Sequence, residues 1–324
     1  MQKRLSRRNM LSISGASLAL VGSLYGLRAL VGAPQPVRWY GEALGAFSSI
    51  TLWHTDPKAA SRAIQKMLVE VDRLDKVFSL YRSDSEINAL NRDGRVERAS
   101  LDMLEVLKIS RFVSDLSAGA FDPTIQVLWR LLAQGDARRV DGQDYRNARA
   151  LVDYTNVTVT GRSIVLARPG TELSLNGIAQ GYITDRITEI LGNEGFESAV
   201  IELGELRALG STPDGSAFKV GLVNPLSPID IDAEVDLRSA LAVSGGYGMT
   251  FGAPSDHHIL DPHSGKSAAG LVQVAVMADK AVSADALSTA IYVAGEKGAL
   301  AILAGFPGAR ARIVRGDGSA AFIE

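Results

Sequence analysis

A predicted strand followed by an acid-bearing helix constrains this chain more than any other feature. The apolar run Leu271–Met277 predicts a strand. On the helix predicted after it, Asp285 and Thr289 are four residues apart and share a face. A carboxylate and a hydroxyl placed this way can bind one Mg²⁺, which prefers oxygen ligands and often takes phosphate oxygens of a substrate as well. The alternative is that Asp285 only caps the helix, as Ser and Asp commonly do.

The segment before this strand is rich in histidine. Three of the four histidines, His257, His258 and His263, fall within seven residues of one another. A zinc site built on them is a second alternative. Adjacent histidines rarely face one ion, and the chain has no His-Glu-x-x-His helix. We therefore rank a zinc enzyme below a magnesium-dependent one.

The N-terminus differs in composition from the rest of the chain. Residues 1–33 hold five cations and no acid, and Ser6-Arg7-Arg8-Asn9-Met10-Leu11 resembles a twin-arginine export signal. A weakly apolar run, Leu11–Leu27, follows, and small residues at Val31-Gly32-Ala33 suit a signal peptidase. We expect residues 1–33 to be a signal peptide and the protein to be periplasmic. The alternative is an uncleaved tether to the inner membrane.

Charge and cysteine content exclude several classes of function. Without the five N-terminal cations, a net charge of −2 becomes about −7 for residues 34–324. An acidic body argues against nucleic-acid binding, which depends on Lys and Arg neutralising phosphates. The chain has no cysteine, so disulfides, iron–sulfur clusters, thiolate zinc sites and a cysteine nucleophile are excluded.

Hydrophobic periodicity predicts helices and strands interspersed without strict βαβ alternation. We therefore expect an α+β fold: mixed sheets with flanking helices, in two intimately packed subdomains. A glycine turn, Leu173–Tyr182, leads from a predicted strand into a helix, where N–H groups can approach a phosphate. Other predicted helices are 57–78, 101–116, 124–132 and 297–304, a polar surface excursion is 134–149, and predicted strands lie within 41–53, 152–166, 199–210, 218–223, 233–243 and 309–323.

Six short motifs, in this order, resemble those of the ApbE family, the FAD:protein FMN transferases. The resemblance runs from Leu44 to Gly295 and so makes residues 34–324 an ApbE-like domain. The twin-arginine signal further suggests a NosX-like subgroup. The motifs are FSLYRSDSEINALN (78–91), GAFDPT (119–124), LSLNGIAQGY (173–182), SGGY (244–247), HHILDPHSG (257–265) and SADALSTA (283–290).

The resemblance implies a reaction and a site. Mg²⁺ would help a threonine hydroxyl of an acceptor flavoprotein to attack the flavin-side phosphorus of FAD, releasing AMP. In the NosX-like subgroup the acceptor would be a membrane protein that faces the periplasm and belongs to the machinery of nitrous-oxide respiration. The metal ligands would be Asp285, Thr289 and the carbonyl of Gly177, and the general base would be His258, with a structural hydrogen bond as its alternative role. FAD would be held by Leu44, Tyr81, Ala120, Phe121, Asp122, Ser174, Gln180 and Ile259.

The chain departs from the family pattern at several positions. Many relatives have Asp at the position of Ser174 and Lys or Glu at that of Gln180, and some have a further Asp at that of Ser288. These changes leave two other functions open. One is a carrier that binds FAD without cleaving it, and the other is a pyrophosphatase that gives FMN and AMP with water as the nucleophile.

Overall fold

An eight-stranded antiparallel sheet organises the fold. The computed structural model describes residues 33–43, 46–134, 142–251 and 255–324, so residues 1–32 of the predicted signal peptide lie outside the described residues. The strands are β1 (Gln35–Ala43), β2 (Ala46–His54), β3 (Arg95–Val96), β4 (Val157–Thr160), β5 (Ser163–Leu166), β6 (Ser198–Glu202), β7 (Leu206–Gly210), β8 (Phe218–Asn224), β9 (Ser227–Leu237), β10 (Ala240–Gly245), β11 (Leu271–Ala278), β12 (Arg310–Arg315) and β13 (Ala320–Ile323).

Seven α-helices flank the sheets in the described part of the chain. The large sheet has the order β1-β2-β6-β7-β10-β11-β12-β13, a small sheet has the order β3-β5-β4, and β8 and β9 form a separate hairpin. All of these ladders are antiparallel, and the α+β prediction is confirmed. The helices are α1 (Pro57–Phe78), α2 (Glu86–Asp93), α3 (Leu101–Leu116), α4 (Gln126–Ala133), α5 (Gln143–Arg149), α6 (Ala179–Asn193) and α7 (Ala281–Leu303).

The centre of the large sheet is buried on both faces. On β11, Val274 and Val276 belong to the main core under the helices, whereas Ala275 and Met277 belong to a second core under the β8–β9 hairpin. Because successive side chains of a strand point to opposite faces, a strand covered on both sides is mostly apolar. This is the physical reason for the apolar run in the sequence, in which Gln273 is the one polar residue.

Helices α6 and α7 cross at a point where only glycine fits. A Cβ on Gly181 would lie 2.3 Å from the carbonyl oxygen of Ala281. Beside this contact, the carboxylate of Asp185 on α6 accepts hydrogen bonds from the N–H groups of Ala281 and Val282, each 2.9 Å long. Asp185 is also paired with Arg207. The first turn of α7 is therefore held by a carboxylate from α6 rather than by a cap of its own.

Helix α7 is the central helix of the core. Within the described residues it is the one helix that is long and apolar enough to cross a membrane, but it packs against β10, β11 and α6 as a core helix does. Its regular geometry is interrupted at Gly295, which has φ 70° and ψ −179°. The separate helix predicted at 297–304 is thus the second half of α7.

Several predicted elements are confirmed and others are wrong. Helices 57–78 and 101–116 match α1 and α3. The prediction of a single strand at 41–53 is wrong, because this range covers parts of β1 and β2, which pair as a hairpin. Residues 44 and 45, which join the two strands, lie outside the described residues. Three further predicted stretches also cover two strands each. Those at 199–210 and 309–323 contain the β6–β7 and β12–β13 hairpins, and that at 233–243 covers the end of β9 and the start of β10, which belong to different sheets. The polar stretch 134–149 is not all irregular, since its end forms α5.

Replacing Gly181 by alanine is expected to destabilise the fold, because the new methyl group would overlap the carbonyl of Ala281. We expect a loss of about 1–3 kcal/mol in the free energy of unfolding, measured by denaturant titration. Gly192→Ala is the matched control on α6, since its Cβ would meet Leu209 at an ordinary 3.7 Å. That control should be neutral or slightly stabilising. Equal stability of the two variants would contradict the crossing argument.

Candidate functional site

The predicted site residues line one cavity of about 650 Å³. Its walls include α1, α4 and α6 with the loops that precede them, the end of β10, the segments 247–249 and 258–262, and α7. Leu44 lies outside the described residues, so its role stays a prediction. The fold brings together all the others: His258, Tyr81, Ala120, Phe121, Asp122, Ser174, Gln180, Ile259, Gly177, Asp285 and Thr289.

The three predicted metal ligands meet where α6 begins beside α7. A Cβ on Gly177 would lie 3.1 Å from Oγ1 of Thr289, so the glycine backbone and the threonine hydroxyl are neighbours. One turn earlier on α7, Oδ2 of Asp285 accepts a hydrogen bond of 3.0 Å from the N–H of Gly181. Asp285 is not the N-cap of α7, which is Lys280. The capping alternative is therefore wrong, and the carboxylate lines the cavity.

Two buried carboxyl groups make the cavity favourable for a cation. Burial raises the pKa of Asp285 to about 7, against the hydrogen bond from Gly181. Burial, and then the charge of Asp285, raises the pKa of Glu205 well above its usual range. An ionised acid in such surroundings costs free energy unless a cation neutralises it. A cation bound by Asp285 would offset that cost.

The donor set of the trio suits Mg²⁺. It offers a carboxylate, a hydroxyl and a backbone carbonyl, all oxygen ligands, and leaves room for water or phosphate oxygens. No group of three or more His, Cys, Asp or Glu side chains in the described residues could hold a metal ion. The residues at this site thus fit magnesium and do not fit a metal that needs several imidazole or carboxylate ligands.

Three hydroxyl groups form a chain beside the trio. Oγ of Ser244 lies 2.8 Å from Oγ of Ser288 and 3.3 Å from Oγ1 of Thr289. Ser288 donates its own hydrogen to the carbonyl of Asp285 at 2.9 Å. Ser244, which lines the cavity, was not predicted as a site residue. It orients the hydroxyl of Thr289, and Ser288 is used inside the helix rather than as a ligand.

His258 is held in the form that a general base requires. Its Nδ1 lies 3.2 Å from the carbonyl oxygen of Met249, and its backbone N–H donates to the same oxygen at 3.0 Å. Because a carbonyl accepts only, Nδ1 carries the hydrogen and Nε2 is left as the acceptor. Burial lowers the pKa of His258 to about 4, so the ring is neutral at ordinary pH.

The other two histidines of this loop do not converge with His258. Nε2 of His257 lies 2.9 Å from the carbonyl oxygen of Ala268, and its ring packs edge-on against Tyr292. His263 is exposed and bonds Asp261. The geometry therefore gives no support to the zinc alternative.

The loop 119–124 is fixed by Asp122. This buried carboxylate accepts hydrogen bonds from the N–H and hydroxyl of Thr124 at 2.8 and 2.6 Å and from the N–H of Tyr154 at 3.0 Å. Burial raises its pKa, and these bonds oppose that shift. The carboxylate is thus occupied by the protein itself. Its part in ligand binding would be to hold Phe121, whose ring lies 3.4 Å from the Cβ position of Gly177.

The remaining predicted residues lie on two walls of the cavity. Tyr81 is half exposed, and its hydroxyl bonds Asn176 in the glycine turn. Ser174 donates its N–H to the carbonyl of Pro123 at 2.7 Å, which ties this turn to the loop of Asp122. The amide of Gln180 packs on the turn before Glu205, since a Cβ on Gly204 would lie 2.4 Å from its Nε2. Ile259 is buried in the main core.

The predicted site residues did not include Glu205, Ser244 and Trp129, which also line the cavity. Glu205 follows Gly204, whose φ of +94° marks a tight turn between β6 and β7. A glycine and an acid after a strand are a weak signal. Nothing in the spacing of residues 205 and 285 shows that their carboxyl groups lie near each other, because the packing of α7 against the sheet brings them together.

Comparison with known proteins gives the family of the chain. The family model described as "ApbE family" matches residues 44–313. The chain belongs to the ApbE family. Relatives named FAD:protein FMN transferase include one from Vibrio cholerae, 28% identical over 307 residues, which cover 86% of this chain and 89% of the relative. Another, from Treponema pallidum, is 27% identical over 315 residues, which cover 88% and 87%.

Solved structures of ApbE proteins share the fold. The apo flavinyl transferase ApbE of Pseudomonas stutzeri is 27% identical, with a TM-score of 0.79 over 92% of this chain and 98% of its own. The flavin transferase ApbE of Vibrio cholerae is 23% identical, with a TM-score of 0.78 over 90% and 97%. The predicted fold and family are therefore confirmed, and the NosX-like subgroup stays a prediction.

The substitution Asp285→Asn tests two properties of the carboxylate: how much its charge destabilises the fold, and whether it binds Mg²⁺. Because the folded pKa is raised from 3.8 to about 7, ionisation of Asp285 destabilises the fold as the pH rises through that interval. Without Mg²⁺, we expect the variant to gain stability relative to the unaltered protein at about pH 8, by about 2 °C or more in Tm. At about pH 5 the gain should be smaller.

The same variant should lose the stabilisation that added Mg²⁺ gives, since the only charged member of the trio is gone. Thermal unfolding with and without Mg²⁺ measures both effects. A variant that melts well below the unaltered protein at about pH 8 without Mg²⁺ would show that the carboxylate has a structural role.

Proposed function

We propose that this transferase of the ApbE family moves FMN from FAD to a threonine hydroxyl of an acceptor flavoprotein, with Mg²⁺ bound and AMP released. The names of its relatives support the transfer of FMN from FAD to protein. One observation carries the residue-level proposal: Gly177, Asp285 and Thr289 share a single cavity with a neutral histidine, His258.

The metal site would be formed by the carboxylate of Asp285, the hydroxyl of Thr289 and the carbonyl of Gly177. Bound there, Mg²⁺ supplies charge neutralisation for the diphosphate and for the charge that develops as phosphorus is attacked. No lysine or arginine other than Arg82 lines the cavity in the described residues. Arg82 is already paired with Asp72 and Asp84, so the chain itself offers little free positive charge to a diphosphate.

His258 would act as the general base. As the threonine oxygen forms its bond to the flavin-side phosphorus, Nε2 takes the hydroxyl proton. The bond from that phosphorus to the bridging oxygen breaks, and AMP leaves with the electron pair. Met249 keeps Nδ1 protonated throughout, which holds the ring in the productive tautomer.

The binding of FAD would use the walls described above. Phe121, Ile259 and Tyr81 present apolar or aromatic surface to the cavity, and the glycine turn presents backbone groups. Ser174 and Gln180 contribute no charge. Binding would therefore rest on ring contacts and on the metal rather than on ion pairs from these two positions.

We further propose export through the twin-arginine pathway to a periplasmic site of action, where the acceptor is a membrane-bound flavoprotein such as one of nitrous-oxide respiration. The support is the sequence of residues 1–33. Replacing both Arg7 and Arg8 by lysine should keep the protein in the cytoplasm, as measured by cell fractionation. Unchanged delivery to the periplasm would contradict the proposed route.

The reaction can be tested with purified protein, FAD, Mg²⁺ and a candidate acceptor. We expect equal amounts of AMP and of acceptor carrying covalent, fluorescent FMN, and no labelling of an acceptor whose target threonine is changed to valine. Bound FAD without AMP would instead indicate a carrier. AMP and free FMN without acceptor would indicate a pyrophosphatase.

The rate of transfer should respond to pH according to the lowered pKa of His258. A base with a pKa of about 4 stays neutral as the pH falls, and its function is lost only near that value. At saturating FAD and Mg²⁺ we expect little change in kcat between about pH 7.5 and 5.5, where a histidine of pKa ~6.5 would cause a loss of about tenfold. A tenfold fall over this range would contradict the assignment.

A further inference from the structure

The cavity has two apolar walls that belong to separate hydrophobic clusters. One wall contains Phe121 and Ile259 of the main core. The other contains Ile125, Trp129 and Leu260 of a smaller cluster formed around α4 and α5. The same cavity also holds the oxygen ligands proposed for the metal. A ligand with a charged centre and two aromatic ends would match this arrangement, because its centre can meet the metal and its ends can meet the two apolar walls.

Trp129 is the largest side chain of the second wall and is held firmly. Its ring makes an edge-on contact with Phe251, with centroids 5.7 Å apart and planes at 80°. The indole is partly exposed although it packs in the cluster. An aromatic side chain that is fixed on one side and open to a cavity on the other is a preorganised surface for a planar ring.

This wall adjoins the reactive part of the cavity. Leu260 follows His258 by two residues, and Met249, whose carbonyl orients His258, also lines the cavity. A ring that lies on Trp129 would therefore be anchored by the same loop that carries the base. Its position would fix the dinucleotide relative to Nε2 of His258.

We propose that Trp129 stacks on one of the two aromatic rings of the dinucleotide, the isoalloxazine or the adenine, and so sets its affinity. This inference rests on the proposed function, because FAD is taken as the substrate. Stacking needs the face of a ring rather than a specific hydrogen bond, so phenylalanine can replace tryptophan in part and an aliphatic side chain cannot.

The test compares two substitutions at this position. Trp129→Leu keeps apolar contact with Leu260 but removes the ring, whereas Trp129→Phe keeps a smaller ring. Trp39→Phe is the control, since Trp39 packs on the main core and does not line the cavity. Calorimetry on the full-length protein with Mg²⁺ gives the Kd of FAD, and separately those of FMN and ADP, which each carry one ring.

We expect Trp129→Leu to raise the Kd of FAD by about tenfold, and Trp129→Phe by about threefold or less. Of the two fragments, only the one whose ring lies on Trp129 should weaken, and this identifies the ring. The Trp39→Phe control should bind all three ligands as the unaltered protein does.

Two results would overturn the inference alone: an unchanged Kd for FAD in Trp129→Leu, or an equal loss for FMN and ADP, which indicates general loosening of the cavity. Failure of the unaltered protein to bind FAD would instead overturn the proposed function, and this inference with it. Thermal unfolding of each variant separates a local loss of binding from a loss of fold.

Discussion

The close crossing of α6 and α7 at Gly181 is the contact on which the site depends. With no side chain at this position, the backbone of α6 approaches that of α7, and the N–H of Gly181 reaches the carboxylate of Asp285 at 3.0 Å. The same approach places Gly177, just before α6, beside Thr289. A larger residue at the crossing would separate all three proposed ligands at once.

Three buried carboxyl groups near this crossing have different partners. Asp185 accepts two backbone N–H groups of α7 and is paired with Arg207, so its charge contributes to the fold. Asp285 accepts one backbone N–H, and Glu205 has a backbone hydrogen bond from Val243 but makes no ion pair with any described residue. Acids with raised pKa values that face a cavity are typical of functional sites. A cation bound between them would neutralise their charge and so offset the free energy that their burial costs.

Local patterns in the sequence were sufficient for the long helices but not for the hairpins. α1 and α3 matched their predicted bounds, because apolar periodicity and a capping residue mark both. The prediction of one strand at 41–53 was wrong because the alternation of residue types continues across the turn between β1 and β2. Periodicity alone therefore cannot locate the point where the chain reverses direction. α5 was missed because its seven residues are mostly polar and too few to show a periodic face.

The sequence by itself determined most of the candidate groups of the site, although not Glu205, Ser244 or Trp129. Helical spacing placed Asp285 and Thr289 on one face, and the motifs named His258 and the glycine turn. Only the tertiary structure decided that the Gly177 backbone meets Thr289, that Glu205 lies near Asp285, and that Met249 selects the tautomer of His258. These contacts join residues distant in the chain, and burial, which shifts the pKa values, exists only after the core has formed.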